Sequence, residues 1–267
     1  MSAMTEAPFL ARLERFGVVG STNDVVRDWL ASGVAEVCVA VADEQSAGRG
    51  RSGRTWTAPP GAGLLTSIGF RPAWLAPKAA WRLAAAVSLA MAEAAEDLIG
   101  APGGSIRLKW PNDLVVDDRG SVRKLGGVLG ETDGLGGAAP RAVIGIGVNV
   151  GWAEVDFPAD LRSTMTSLGE IAGRPIDREL LLGGFLERLE SHVEALRAER
   201  FALLAWSERQ ATTGLDVTLA WPDGEQQIRR ALGVDEATGA LVVADVDHGH
   251  RLVLTGEVVH VRLPGAA

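Results

Sequence analysis

One proline pair narrows the folds open to this chain. Pro59-Pro60-Gly61 comes just after the segment Gly48-Arg49-Gly50-Arg51-Ser52-Gly53-Arg54-Thr55-Trp56, which follows the apolar run Val37-Cys38-Val39-Ala40-Val41-Ala42. That run reads as a strand buried on both faces. Gly48, Gly50 and Gly53 then match the strand and G-x-G-x-x-G pattern of a dinucleotide site. Such a site needs a helix next, because the helix N-terminus receives the pyrophosphate. Proline fixes φ, lacks an N–H and disfavours helical geometry in the residue before it, so no helix follows directly. About twenty residues on, where an acid would meet a ribose, stands Arg71-Pro72-Ala73-Trp74. The dinucleotide reading fails twice, which leaves either an inert glycine-rich loop or a loop that holds something else.

Its composition says what. Three glycines let the backbone approach a ligand closely. Three arginine forks suit phosphate or carboxylate, and Trp56 offers a flat face. No Asp or Glu occurs from Gln45 to Ala92, while Arg49, Arg51, Arg54, Arg71, Lys78 and Arg82 all fall there. The whole chain carries 26 cationic and 34 acidic residues, net −8. That balance argues against a general nucleic-acid or anionic-membrane binder, so the basic loop reads as a local anion site. No uncharged apolar run reaches the roughly 18 residues that cross a bilayer. The N-terminus does not read as a signal peptide, and Cys38, the only cysteine, allows no intrachain disulfide or Cys-based zinc cluster. The expected compartment is the cytoplasm. Only Lys78, Lys109 and Lys124 among the 26 cations are lysines, a hint that a compact ammonium is needed there.

In chain order, residues 1–14 read as a loose lead and Arg15 to Val19 as a strand. Ser21-Thr22-Asn23 caps an amphipathic helix over Asp24 to Leu30 that stops at Gly33. Leu64 to Phe70 is a strand, and Pro77 to Ile99 a long alanine-rich helix stopped by Gly100. Ile106 to Trp110 and Leu114 to Asp117 are strands about the turn Pro111-Asn112-Asp113. Val122 to Glu131 and Val143 to Val150 are strands joined by a Gly/Ala-rich loop. Thr166 to Ile171 is a short helix. Asp177 to Arg200 is a long one, with apolar spacing at Leu181, Phe185, Leu189 and Val193, continuing over Phe201 to Gln210. After Thr213-Gly214, short strands at even spacing predict a small β unit. The expected fold class is α+β: a mixed sheet with helices packed on it over residues 15–211, then a β domain over 212–267.

Four polar clusters stand out, each with an ordinary structural reading as well. Lys109-Trp110-Pro111-Asn112-Asp113 also reads as a turn with a solvated lysine. Arg123-Lys124-Leu125-Gly126-Gly127 also reads as a charged strand edge. Gly145-Ile146-Gly147-Val148-Asn149 also reads as a bulged strand. Ser21-Thr22-Asn23 also reads as a helix cap. His192, His248, His250 and His260 have no metal-ligand spacing, Cys38 reads as a core residue, and no G-x-S-x-G elbow occurs.

Together and in this order the motifs resemble those of the biotin protein ligase family. The resemblance rests on Gly20 to Asn23, Glu44 to Trp56, Lys109 to Leu114, Lys124 to Leu129 and Gly145 to Asn149, and it spans residues 16–263. It implies a class II synthetase-like catalytic domain with a C-terminal SH3-like β-barrel. It also implies that biotin and MgATP form biotinyl-5′-adenylate and pyrophosphate. The biotinyl group then passes to one lysine of a biotin carboxyl carrier domain of an acyl-CoA carboxylase. The biotin contacts of the family match Ser21, Thr22, Asn23, Gln45, Gly48, Arg49, Gly50, Arg51, Lys124 and Gly127. Its nucleotide contacts match Arg51, Arg54, Trp56, Lys109, Asn112, Asp113, Lys124 and Asn149. Asp113 is the expected Mg2+ residue, and Lys124 and Arg51 the catalytic pair at the carboxylate and α-phosphate. ATP and Mg2+ are the expected cofactors, and a monomer or weak dimer the expected state. The short lead implies the single-function type, without a DNA-binding domain or nucleic-acid partner. Gly126, where the family often has Ala, and Gly130, in a usually apolar strand, are local departures. A lipoate ligase or transferase on the related fold, and a biotin sensor without turnover, are the alternative readings.

Overall fold

A computed structural model describes residues 9–118, 121–221, 224–245 and 247–262 of the chain. Its main sheet has seven strands: β1 (Arg12–Val19), β2 (Cys38–Gln45), β3 (Gly63–Phe70), β4 (Ile106–Lys109), β5 (Asp113–Asp118), β6 (Ser121–Asp133) and β7 (Arg141–Asn149). They lie in the order β1-β2-β3-β7-β6-β5-β4. Only β1 and β2 pair in parallel, so the sheet is mixed. The helices are α1 (Thr22–Ala31), α2 (Trp81–Ile99), α3 (Leu168–Ala172), α4 (Arg178–Arg197) and α5 (Leu203–Glu208).

The two-residue period of a strand sorts the faces of this sheet. Val39 and Val41 of β2, Leu64, Ile68 and Phe70 of β3, and Ala142, Ile144, Ile146 and Val148 of β7 all enter one core. Against it pack Leu83, Val87 and Met91 of α2 and Leu181, Phe185, Leu189 and Val193 of α4. The opposite face carries Cys38, Ala40 and Val143, which meet Val26 and Leu30 of α1. Beyond them that face is built of small residues. Ser67 pairs with Gly145, and Gly127 with Gly147, across β3, β6 and β7.

Several expectations shift. β1 begins at Arg12, inside the stretch read as a loose lead, because Arg12 to Phe16 pair in register with Cys38 to Ala42; residues 1–8 of that lead lie outside the described residues. Pro77–Ala79 forms a separate tight turn, and α2 starts at Trp81 and ends on left-handed Gly100 (φ 72°). Asp177 caps α4 by accepting from the Glu179 and Leu180 N–H groups. The helix does not run on to Gln210: α4 ends at Arg197, Glu199 takes φ 57°, and α5 is a separate segment. The break lets Phe201 and Trp206 reach Trp81, at ring-centroid distances of 5.3 and 4.8 Å. The feared bulge at Gly145 is absent, since β6 and β7 pair without a register shift.

A second, antiparallel sheet follows: β8 (Asp216–Ala220), β9 (Gln226–Val234), β10 (Leu241–Asp245), β11 (Gly249–Val253) and β12 (Glu257–Arg262), in the order β11-β10-β9-β8-β12. Its core of Val217, Leu219, Ala231, Leu241, Val243, Val253 and Val258 also takes in Trp110 from the β4–β5 turn. Trp110 donates its indole N–H to the Gly239 carbonyl at 3.2 Å, and Trp81 donates to Ala237 at 3.3 Å. A buried ion pair ties the segment after α5 to α2: Arg209 meets Glu96 at 2.7 Å, and Glu96 also accepts from the Ile106 N–H. Such a pair tolerates burial because further hydrogen bonds satisfy it. No helix among the described residues is long and apolar enough to cross a membrane.

Cys38 tests how tightly the α1 face is closed. Burial pushes its thiol up to about 11. At pH 8 such a group is thiolate in roughly one part per thousand. A disulfide thiol reagent is expected to find no reactive thiol in the native chain and one after denaturation; prompt labelling of native protein would contradict the packing.

Candidate active site

The small-residue face forms the floor of a cavity of about 800 Å3. What stands on the floor explains the glycines. A Cβ at Gly145 would lie 2.2 Å from the Asn23 Oδ1, and one at Gly147 would lie 2.6 Å from the Trp56 ring. The amide and the indole therefore rest directly on bare backbone. The Trp56 Nε1 is buried there without a partner.

One end of the cavity is polar and neutral. Ser21, Thr22 and Asn23, at the start of α1, and Gln45, at the end of β2, line it. Ser21 precedes the helix but makes no side-chain cap bond, which leaves its hydroxyl for the cavity. The Thr22 N–H donates to the Gln45 Oε1 at 2.7 Å. The Ser67 hydroxyl lies 2.6 Å from the Asn23 Oδ1 and 2.7 Å from the Thr22 Oγ1. It has one proton and the amide oxygen can only accept, so Ser67 donates to Asn23. The single Thr22 hydroxyl proton is shared between Ser67 and the Gln45 Oε1, 3.0 Å away. With the Gln45 oxygen engaged, its amide NH2 remains as a donor to a ligand.

The other end is cationic. Arg51, Arg54, Lys109, Asn112, Asp113 and Lys124 line it. Lys124 is paired with Asp113 at 2.7 Å, and its Nζ stands 5.5 Å from the Trp56 ring centroid. Arg54 is paired with Glu257. Arg51 and Lys109 have no ion pair among the described residues, and burial holds both below their ordinary basicity. Asp113 and Glu257 act on both only from a distance, and burial outweighs them, so two half-buried cations without a direct partner create a local demand for an anion. Asn112 is anchored by its amide N–H to the Val128 carbonyl at 2.7 Å.

The Gly/Arg loop bridges these ends as a closed hairpin. The Gly50 N–H donates to the Arg54 carbonyl at 2.7 Å and the Trp56 N–H to Gly48 at 3.0 Å. Ser52 sits at φ 55° in the tip. Arg49 reaches back to Asp24 at 2.7 Å and to Glu131 at 3.3 Å. The segment after β7 supplies the remaining wall. Thr164 accepts from the Lys124 N–H and the Thr166 N–H donates to the Lys124 carbonyl, which brings Thr164 and Met165 to the cavity.

Of the residues singled out from sequence, sixteen positions fall into one region, but two lie behind the cavity lining. Gly48 underlies the loop, where a Cβ would be 2.3 Å from the Trp56 carbonyl. Asn149 is buried and donates to the Thr166 carbonyl at 3.0 Å, with its Oδ1 unpartnered. Sequence reasoning missed Ser67, Asp24, Glu131 and Trp152. Ser67 had a signal, as a hydroxyl inside an apolar strand; Asp24 and Glu131 had none.

The family described as biotin/lipoate A/B protein ligase matches residues 16–149. Biotin--[acetyl-CoA-carboxylase] ligase of Mycobacterium tuberculosis is 34% identical over 254 residues, covering 94% of this chain and 90% of that protein. The chain belongs to the biotin/lipoate A/B protein ligase family. A bifunctional ligase/repressor of Bacillus subtilis is 27% identical to this ligase, over 90% of the chain and 71% of that protein. The biotin protein ligase from Aquifex aeolicus, solved with biotin and ATP, is similar at a TM-score of 0.75 and 26% identity, over 92% of this chain and 97% of that one.

The Arg54–Glu257 pair joins the loop of this ligase to its C-terminal sheet. A partly exposed pair is worth about 0.5–1 kcal/mol, so its loss should favour local opening by roughly 2–5-fold. Glu257→Ala is expected to speed tryptic cleavage after Arg51 and Arg54 by that factor; unchanged rates would mean that the pair does not hold the loop.

Proposed function

We propose that this ligase activates biotin with MgATP and passes the biotinyl group to a lysine of a biotin carboxyl carrier domain. The observation that carries the reading is one trough with a neutral polar end and, at the other, two cations that make no direct ion pair among the described residues. A bicyclic urea with a carboxylate tail matches that polarity. The Gln45 NH2 and the Ser21 hydroxyl suit the ureido oxygen, and the tail runs past Gly127, beside the Asn23 and Trp56 side chains that cover Gly145 and Gly147, toward Lys124 and Arg51.

In the first step a carboxylate oxygen of biotin attacks the α-phosphorus of ATP. A new P–O bond forms, the bond to the β,γ-phosphates breaks, and pyrophosphate leaves. Negative charge builds on the α-phosphoryl oxygens, where Arg51, Lys109 and Lys124 act electrostatically. Burial strengthens their effect because little water screens them. Trp56 gives the adenine a flat neighbour. In the second step the neutral amine of the acceptor lysine attacks the acyl carbon, AMP leaves with the bonding pair, and the nitrogen gives up one proton to water as the amide forms. Neither step needs a protein nucleophile, only placement of the reactants.

One carboxylate with a neighbouring amide is the sparse donor set that Mg2+ accepts when phosphates and water complete its shell. Asp113 and Asn112 fit that description. The ion would neutralise phosphate charge, and Asp113 would then exchange part of its contact with Lys124.

Lys124→Ala and Arg51→Ala are each expected to lower biotin-dependent pyrophosphate release by about 10²–10³-fold, as for the loss of one transition-state donor. Near wild-type rates in both would refute these roles. Incubation with biotin, MgATP and a carrier domain should add one biotinyl mass to one acceptor lysine. Pyrophosphate exchange with lipoate alone would sink the biotin reading. Tight biotin binding without transfer would indicate a sensor.

A further inference from the structure

Glu131 lies near the end of β6, opposite Val143 of β7, on the same face as the glycine floor. It does not line the main cavity. Its carboxylate stands behind two residues that do, and it also faces a second pocket of about 240 Å3 beside Arg27 and Arg141. Oε2 accepts from the Asn23 Nδ2 at 2.8 Å and from the Arg27 NH2 at 2.6 Å. The Arg49 NH2 lies 3.3 Å from both carboxylate oxygens. Asp24 holds the same two arginines from the α1 side. One acid on β6 thus meets α1, the Gly/Arg loop and the neutral end of the cavity together.

Two consequences follow from this placement. The Asn23 amide could turn either way about its own bond, but Glu131 can only accept and Ser67 donates, so the pair fixes which face is NH2 and which is oxygen. Arg49, clamped between Asp24 and Glu131, anchors the loop next to the turn that covers the trough. A lone surface ion pair contributes little, whereas a half-buried carboxylate taking three donors organises a network. We infer that Glu131 is a positioning residue for the urea end of the site: it orients Asn23 and pins Arg49 so that biotin is retained, with no part in the chemistry at phosphorus. This inference rests on the biotin-ligase reading above.

The test is Glu131→Gln, which keeps size and one acceptor but removes the charge. The KM for biotin is expected to rise by roughly 10-fold, the scale of one lost charge-assisted hydrogen bond. KM for ATP and kcat should stay within about 2-fold, because Arg51, Lys109 and Lys124 do not touch this network. An unchanged biotin KM overturns the inference, and so does a comparable rise in both KM values with an equal fall in kcat and a lower melting temperature, the mark of a merely structural role. If the Gln variant does not fold, Asp24→Asn loosens the same clamp from its other side. A selective rise in biotin KM then supports the inference and no change overturns it. Wild-type binding of biotin is measured first: wild-type protein that binds none fails the ligase reading itself, and this inference with it.

Discussion

Ile144, Ile146 and Val148 leave β7 on one face, and Gly145 and Gly147 leave it on the other. The rest of the molecule is arranged around that division. The large side chains meet α2 and α4 and supply the stabilising burial, at roughly 1.5–3 kcal/mol for each fully covered apolar side chain. The glycines contribute nothing to that sum. They leave a hollow where a sheet of ordinary residues would place side chains, and Asn23 of α1 and Trp56 of the Gly/Arg loop settle into part of it. Stability is thus concentrated on one side of the sheet, which frees the other side for binding. A methyl group at Gly145 or Gly147 would meet Asn23 or Trp56 well inside van der Waals distance.

The cations over that hollow divide by their partners. Arg49 and Arg54 have acids of the protein itself and act as anchors of the loop. Arg51, which lies between them in sequence, makes no direct ion pair among the described residues and is pushed toward lower basicity by burial. All three border the trough, but within the tight hairpin residues 49 and 54 are tied to acids of α1, β6 and β12 while 51 is not. Two of the three arginines in these six residues are therefore already engaged by the protein itself. Counting charges in the sequence overstates the positive charge available to a substrate.

What was legible in the sequence depended on how local its cause was. Strand alternation, the proline pair and the stop signals at Gly33 and Gly100 act within a few residues, and they located the main elements. The start of β1 was missed because its only cause is pairing with β2, some two dozen residues later. The break after Arg197 was missed because the pull on Phe201 and Trp206 comes from Trp81. The site followed the same rule. Ser21 to Asn23, Gln45, Lys109 and Lys124 form short motifs, whereas Glu131 and Glu257 act on arginines 82 and 203 residues away. Asn149 lies in a recognisable motif, yet its amide is engaged by the Thr166 carbonyl behind the cavity.

Trp110 belongs to two places at once. Its neighbours Lys109 and Asn112 border the cationic end of the trough, while its own ring lies in the core of the C-terminal sheet and donates to Gly239. A chain cut before that sheet would leave this indole bare and the turn beside the cations without its seat. A hybrid carrying a foreign C-terminal sheet would reset the height of that turn. The C-terminal sheet is therefore a handle on the turn at the cationic end that leaves Lys109 and Asn112 as they are.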